Sequence, residues 1–170
     1  MKFRLDVPGI PLRGVAIAIA ALGMLSQSGC SKPQPAKEFT AGDPATTGPL
    51  TYNVVETHWK SQLDAFPVAR IPDRNFLLVR ILVTNGGGSE VSIPLLQLEN
   101  SKGEAFPESD NGAGVENWLG LLRRVSPAQS ADGWLLFDVP TNAYRLRVSD
   151  GGLENEKFAY ITIPLSIQDQ

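Results

Sequence analysis

The sequence predicts an all-β fold, a β-sandwich of about seven strands spanning residues 50–170. Three observations lead there. Apolar residues in this stretch recur with a step of two. Clusters of Gly, Asn, Asp and Pro interrupt the apolar runs at short intervals. No helical period of any length is present. The bulk numbers agree with one packed domain: 170 residues, 42% hydrophobic and 19% charged. The net charge is −3 and the basic residues are scattered, Arg123-Arg124 being the only adjacent pair. Nucleic-acid binding needs a basic face to neutralise phosphates, so that class of partner is excluded as an expectation.

The elements follow in chain order. Residues 1–29 read as an export signal: Lys2, Arg4 and Arg13 lead, Val15 to Leu25 is uncharged and apolar, and small Ser28 and Gly29 close it. The apolar run is too short for a bilayer span, which needs roughly 20 residues. Cys30, the single cysteine, follows directly. Exported proteins meet oxidising surroundings, yet this cysteine has no partner for an intrachain disulfide. Cleavage between Gly29 and Cys30 would make it the new amino terminus.

That arrangement resembles the signal of bacterial lipoproteins, although Gln27 stands where that family carries Leu. The resemblance implies a diacylglyceryl group on the Cys30 thiol and an acylated amino group, with the membrane as partner. At about 0.8 kcal/mol per buried methylene, two or three chains hold firmly where one holds marginally. Ser31, in place of Asp, resembles lipoproteins sorted to the outer membrane of two-membraned bacteria. Residues 30–49 then read as the lipidated cysteine and a disordered tether, with four prolines and one aromatic, Phe39.

In the body, "TYNVVETHW" is a first strand. "NFLLVRILVTN" is apolar on both faces apart from Arg80 and suits a central strand. Asn85 to Ser89 reads as a hairpin connection. "EVSIPLLQLEN" is a strand from Val91 to Leu98 that Pro94 forces to an edge or a bulge. "NSKGE" and "SDGGLENEK" are further turns. Residues 112–124, with Trp118, Leu119, Leu121 and Leu122, fit either a helical turn or a strand. "GWLLFDVP" points Leu135, Phe137 and Val139 inward and Asp138 outward. "AYRLRVS" sets Tyr144, Leu146 and Val148 opposite Arg145 and Arg147. "FAYITIPLSI" aligns Ile161, Ile163, Leu165 and Ile167 on one face.

The strand ending in Asn85, the turn from Leu98 to Gly103, and Gly133 with Phe137-Asp138-Val139-Pro140 resemble a family of bacterial lipoprotein domains of unknown function. Pro127 is followed here by Ala128 where the family usually has Pro-Gly. The resemblance covers residues 74–151 and implies a telokin-like, immunoglobulin-like sandwich similar to a mycobacterial immunoprotective antigen. It implies no activity.

Candidate chemistry is sparse. The one histidine, His58, reads as a strand residue, with no Gly-x-Ser-x-Gly elbow to serve. Zinc sites use three or four His, Cys or carboxylate ligands, and this chain offers one histidine and one cysteine. The loops around Asp110, Asn111 and Glu116, and around Asp150, Glu154 and Glu156, are oxygen-rich but do not follow the calcium-loop pattern. "NGGGSE" lacks the Lys-Ser/Thr of a phosphate loop. No cofactor or metal is expected, and no catalysis. Among the three tryptophans, Trp59, Trp118 and Trp134, the favoured expectation is that one or two fill the sandwich core. Trp118 and Trp134 are the ligand-binding candidates, since aromatics on an open sheet face bring apolar area with a polar handle. The expectation is a lipid-anchored envelope module that binds or scaffolds, with an envelope protein or glycan as partner.

Overall fold

The side-chain alternation is realised as strands in the computed structural model, which describes residues 36–165. They are β1 (Lys37–Thr40), β2 (Ala45–Thr47), β3 (Leu50–Lys60), β4 (Asn75–Asn85), β5 (Val91–Ser92), β6 (Gln97–Glu99), β7 (Ala105–Pro107), β8 (Arg124–Val125), β9 (Ser130–Val139), β10 (Tyr144–Ser149) and β11 (Phe158–Ile163). One sheet runs β2-β3-β4-β9; the other runs β1-β11-β10-β6-β7; β5 pairs with β8. Neighbours that are distant in sequence, β4 beside β9 and β10 beside β6, make this a Greek key. β1 joins β11 in parallel.

The core lies between the two sheets. Leu77, Val79, Ile81 and Val83 of β4 and Leu135, Phe137 and Val139 of β9 meet Tyr144, Leu146, Val148, Ile161 and Ile163, all buried. A second cluster sits on the outer face of the four-stranded sheet, where Phe76, Leu78 and Leu136 are covered by Leu63 and Val115. β4 is therefore buried on both faces at Phe76 and Leu78, whereas farther along its outer face Arg80 is half-buried and Leu82 is exposed, although its sequence is apolar on both sides.

The Tyr144 hydroxyl donates to Pro140 O at 2.6 Å. This ties the start of β10 to the turn before it, the tyrosine corner of immunoglobulin-type sandwiches. Its ring also packs against Trp59 and Phe106. Tyr144→Phe keeps the ring and removes the bond, so urea unfolding should report a loss of about 1 kcal/mol.

Five sequence expectations need correction. β1 begins at Lys37, so residues 37–49 are part of the sandwich rather than tether. Phe39 packs on the core, Ala45 and Thr47 are buried, and Pro44 and Pro49 flank β2 where no ladder donor is required. Asn85 to Ser89 is a crossing between sheets, because β5 pairs with β8 and not with β4. The Asn85 side chain fixes that crossing by donating to Ser89 O and Val125 O. Pro94 divides the run from Val91 to Leu98 into β5 and β6, and β6 lies inside its sheet. Residues 112–124 form turns, one bridge from Trp118 to Trp134, and the start of β8. β11 ends at Ile163; Leu165 is exposed, and Ile167 lies outside the described residues.

Candidate functional site

Side chains on the outer face of the four-stranded sheet lie in rows set by strand register. Glu56, Arg80 and Trp134 form one row, and His58, Leu78 and Leu136 the next. Two loops lie over this face. In the first, residues 61–74, Leu63 and Arg70 exchange backbone bonds of 2.9 and 2.8 Å. In the second, residues 108–119, Asn111 O and Ser109 Oγ accept bonds from the Arg70 guanidinium. The Asp138 carboxylate holds the first loop by accepting from the Asp73 and Arg74 amides at 2.8 and 2.9 Å. The Phe-Asp-Val-Pro motif thus has a physical account. Phe137 and Val139 fill the core, Asp138 pins a loop, and the Pro140 carbonyl receives Tyr144.

Where the loops stop covering the sheet, a groove of about 400 Å³ remains, lined by His58, Lys60, Leu63, Leu78, Glu116 and Trp134. Its size and mixed lining fall in the range of small-ligand sites. Trp134 is half-buried and lies 5.3 Å from the His58 ring, between centroids. His58 Nε2 is 2.6 Å from Glu56 Oε1, so its bond goes to a carboxylate and not to a hydroxyl.

Trp118 is also half-buried, but its ring rests on Gly112, where an added Cβ would fall 2.0 Å from the indole. The two tryptophans are joined through backbone instead: Trp134 N donates to Asn117 O and Leu119 N donates to Trp134 O, both at 3.0 Å. Trp118 and Trp134 are therefore adjacent but not a paired stacking platform, and Trp134 alone lines the groove. Cys30 and Gly29 lie outside the described residues.

The acidic loops serve their own turns. Asp150 Oδ1 accepts from the Gly152 and Lys157 amides, Asn111 Oδ1 from Ala113, and Glu156 pairs with Arg147. Among the described residues, no three His, Cys, Asp or Glu side chains gather as a metal site.

The outer face of the other sheet is a lattice of paired charges. Arg145 bonds Glu38 and Glu99 and lies 4.2 Å over Tyr160; Arg147 lies 4.3 Å over Phe158. The Tyr160 hydroxyl and then Arg145 hold Glu99 below the usual carboxylate range; Arg147 does so for Glu156, and Arg80 for Asp132. A depressed folded pKa contributes stability that is present above the unfolded value and lost as pH falls through the folded one. The melting temperature should therefore begin to drop below about pH 4. Arg80→Gln should flatten part of that drop by removing the Asp132 share, as a thermal series in pH would show.

Sequence reasoning missed a buried ion pair. Arg123 and Glu108 side chains are 3% and 2% exposed. Glu108 also accepts from Leu96 N at 2.9 Å, and Arg123 donates to Pro94 O at 2.7 Å. Burial pushes the Glu108 carboxyl up while Arg123 opposes that shift. The only trace of the pair in the sequence was a basic residue following "WLGLL".

Two layered sheets in Greek-key order, with a tyrosine corner, define an immunoglobulin-like β-sandwich. The chain belongs to the family described as a domain of unknown function, DUF4352, which it matches over residues 39–157. Its fold is similar to that of the yjhA protein of Bacillus subtilis, at 12% identity and a TM-score of 0.59 over 74% of this chain and 99% of that one. It is also similar to ycdA of Bacillus subtilis, provisionally described as a lipoprotein, at 14% identity and a TM-score of 0.59. That match covers 74% of this chain but only 39% of the other. An uncharacterised β-sandwich protein of Clostridium difficile matches at 8% identity and a TM-score of 0.50, over 78% and 97% of the two chains. At such identities the likeness speaks to fold alone. No curated protein matches the sequence.

Proposed function

We propose that this chain is a lipid-anchored protein of the bacterial cell envelope whose sandwich binds or scaffolds without catalysis, facing the periplasm or the exterior. The observation that carries the reading is the placement of the one cysteine, Cys30, directly after a short apolar run and Ser28-Gly29. The provisional description of ycdA as a lipoprotein supports it. The start of β1 at Lys37 leaves residues 30–36 between the anchor and the fold.

The test is acyl labelling of the full chain expressed in a bacterial host. Wild type should incorporate labelled palmitate and sediment with membranes, and Cys30→Ser should incorporate none. A Cys30→Ser chain recovered in the membrane fraction as mature, leader-free protein would overturn the anchor.

A second reading, recognition of a glycan or of an envelope protein, is favoured by the groove that Trp134 lines. Titration with neutral cell-wall oligosaccharides should shift the Trp134 indole resonance. A spectrum unmoved at millimolar sugar would remove the glycan from consideration.

A further inference from the structure

We propose that the outer edge of β3, from Glu56 to Lys60, pairs antiparallel with the same edge of a second copy of this chain, across a two-fold axis at His58. β3 is long, but β2 covers only Leu50 to Tyr52 of its outer edge. The Gly42 amide then takes Val54 O at 3.0 Å. Among the described residues, nothing pairs with that edge from Glu56 onward. Backbone groups left along an extended edge are a template for another strand, and native proteins cover or blunt such edges.

The other long edges of the fold are covered. β9 is bonded by Asn117 and Leu119 through Trp134, and by Ser109 N to Leu136 O at 2.7 Å. β11 is covered by β1. The β3 edge is instead bordered by an open groove of about 300 Å³, lined by Gly42, Val54 to Thr57 and Pro164.

Register follows from the strand itself. The ladder between β3 and β4 is broken by a bulge between Val54 and Glu56, and the strand ends at Lys60. The regular stretch is therefore Glu56 to Lys60, and only an axis through its midpoint, His58, uses all of it. An axis at Thr57 would place the bulge in the new ladder. An axis at Trp59 would set Lys60 against His58 and leave Glu56 facing loop. Side chains at 56, 58 and 60 share one face. The His58 axis sets Glu56 opposite Lys60 of the partner subunit, and Lys60 opposite Glu56 of the partner subunit. Opposite charges directly across a ladder stabilise it, and like charges oppose it. The Glu56 side chain is 43% exposed, so its bond to His58 leaves it open to such a partner.

A ladder this short buries less than the roughly 1,200 Å² of a stable interface. The pair is thus weak in dilute solution and forms where copies are held at high local concentration. The geometry of the pairing comes from β3 alone, and the inference rests on the proposed anchor for that local concentration.

The test is cysteine crosslinking of the full chain in host membranes, with wild type as background. With His58→Cys, mild oxidation should give a covalent dimer. With Thr57→Cys alone it should give little, since residue 57 faces residue 59 across the axis. Lys60→Glu added to His58→Cys sets two glutamates together and should abolish the dimer. Adding Glu56→Lys as well exchanges the charges and should restore it. That restoration is an outcome misfolding cannot mimic. A His58→Cys chain no more dimeric than one carrying Leu153→Cys on the remote β10–β11 turn would overturn the proposal, and would mean that the Val55 bulge and Lys60 guard the edge. A dimer in the wild-type lane would instead report a free Cys30 thiol and count against the lipid anchor alone.

Discussion

Replacing Arg123 with methionine should lower the unfolding free energy by about 3–5 kcal/mol, the cost of leaving one charge of a buried pair alone. Glu108 would remain almost wholly enclosed, with the Leu96 amide as its only remaining donor. The pair joins three segments: the crossing at Pro94, the end of β7 and the start of β8. The loss should therefore appear as one cooperative transition at lower urea rather than as fraying. The double variant Arg123→Met with Glu108→Leu should recover most of it, because hydrophobic pairs of similar volume replace buried ion pairs at little net cost.

The single variant should also show a steeper pH dependence than wild type. Burial already pushes Glu108 up, and losing Arg123 removes the main opposing influence. With the folded pKa above the unfolded one, the folded state binds more protons between the two values. Stability then falls as pH rises through that window. The Arg123→Met chain should be more stable near pH 5 than near pH 8, and the double variant indifferent. A single variant within about 1 kcal/mol of wild type at both pH values would show that the pair contributes no more than a surface bridge.

The same region marks the limit of what the sequence discloses. Strands whose burial is decided by the alternating pattern were legible: β4 with both faces apolar, β9 with Leu135, Phe137 and Val139 inward, and β10 with its two arginines outward. The turns closing β6–β7 and β10–β11 were legible too, because both join antiparallel neighbours. What escaped depends on pairings between distant segments. Asn85-Gly86-Gly87-Gly88 has the composition of a hairpin, but its course is decided by Asn85 reaching Val125. Residues 37–47 have the composition of a tether, yet Phe39 and Ala45 find core to bury in. The candidate groove was half legible. Trp134 was placed on the face away from the core by parity. That loops 61–74 and 108–119 would close over part of that face depends on Arg70, Asp138 and Gly112, which carry no periodic signal.

Gly133→Val is the second change expected to cost heavily, about 3 kcal/mol at the upper end of overpacking effects. Gly133 is buried in β9, and an added Cβ would fall 2.7 Å from Asn117 O and 3.0 Å from Leu119 Cδ1. The nearest atom is backbone, and that same carbonyl accepts the Trp134 amide. A branched side chain must therefore push residues 117–119 off the edge of β9, breaking both bonds that join Trp118 to Trp134. The expected signature is specific to that place. The Trp118 indole resonance should move to a solvent-exposed position, and amide exchange at Leu119 and Trp134 should accelerate, while β10 and β11 keep their protection. Gly112→Ala, whose Cβ would fall on the Trp118 ring itself, should expose the same indole without touching β9. If both variants left Trp118 unmoved, the bridge between the tryptophans could not be what positions Trp134 along the groove.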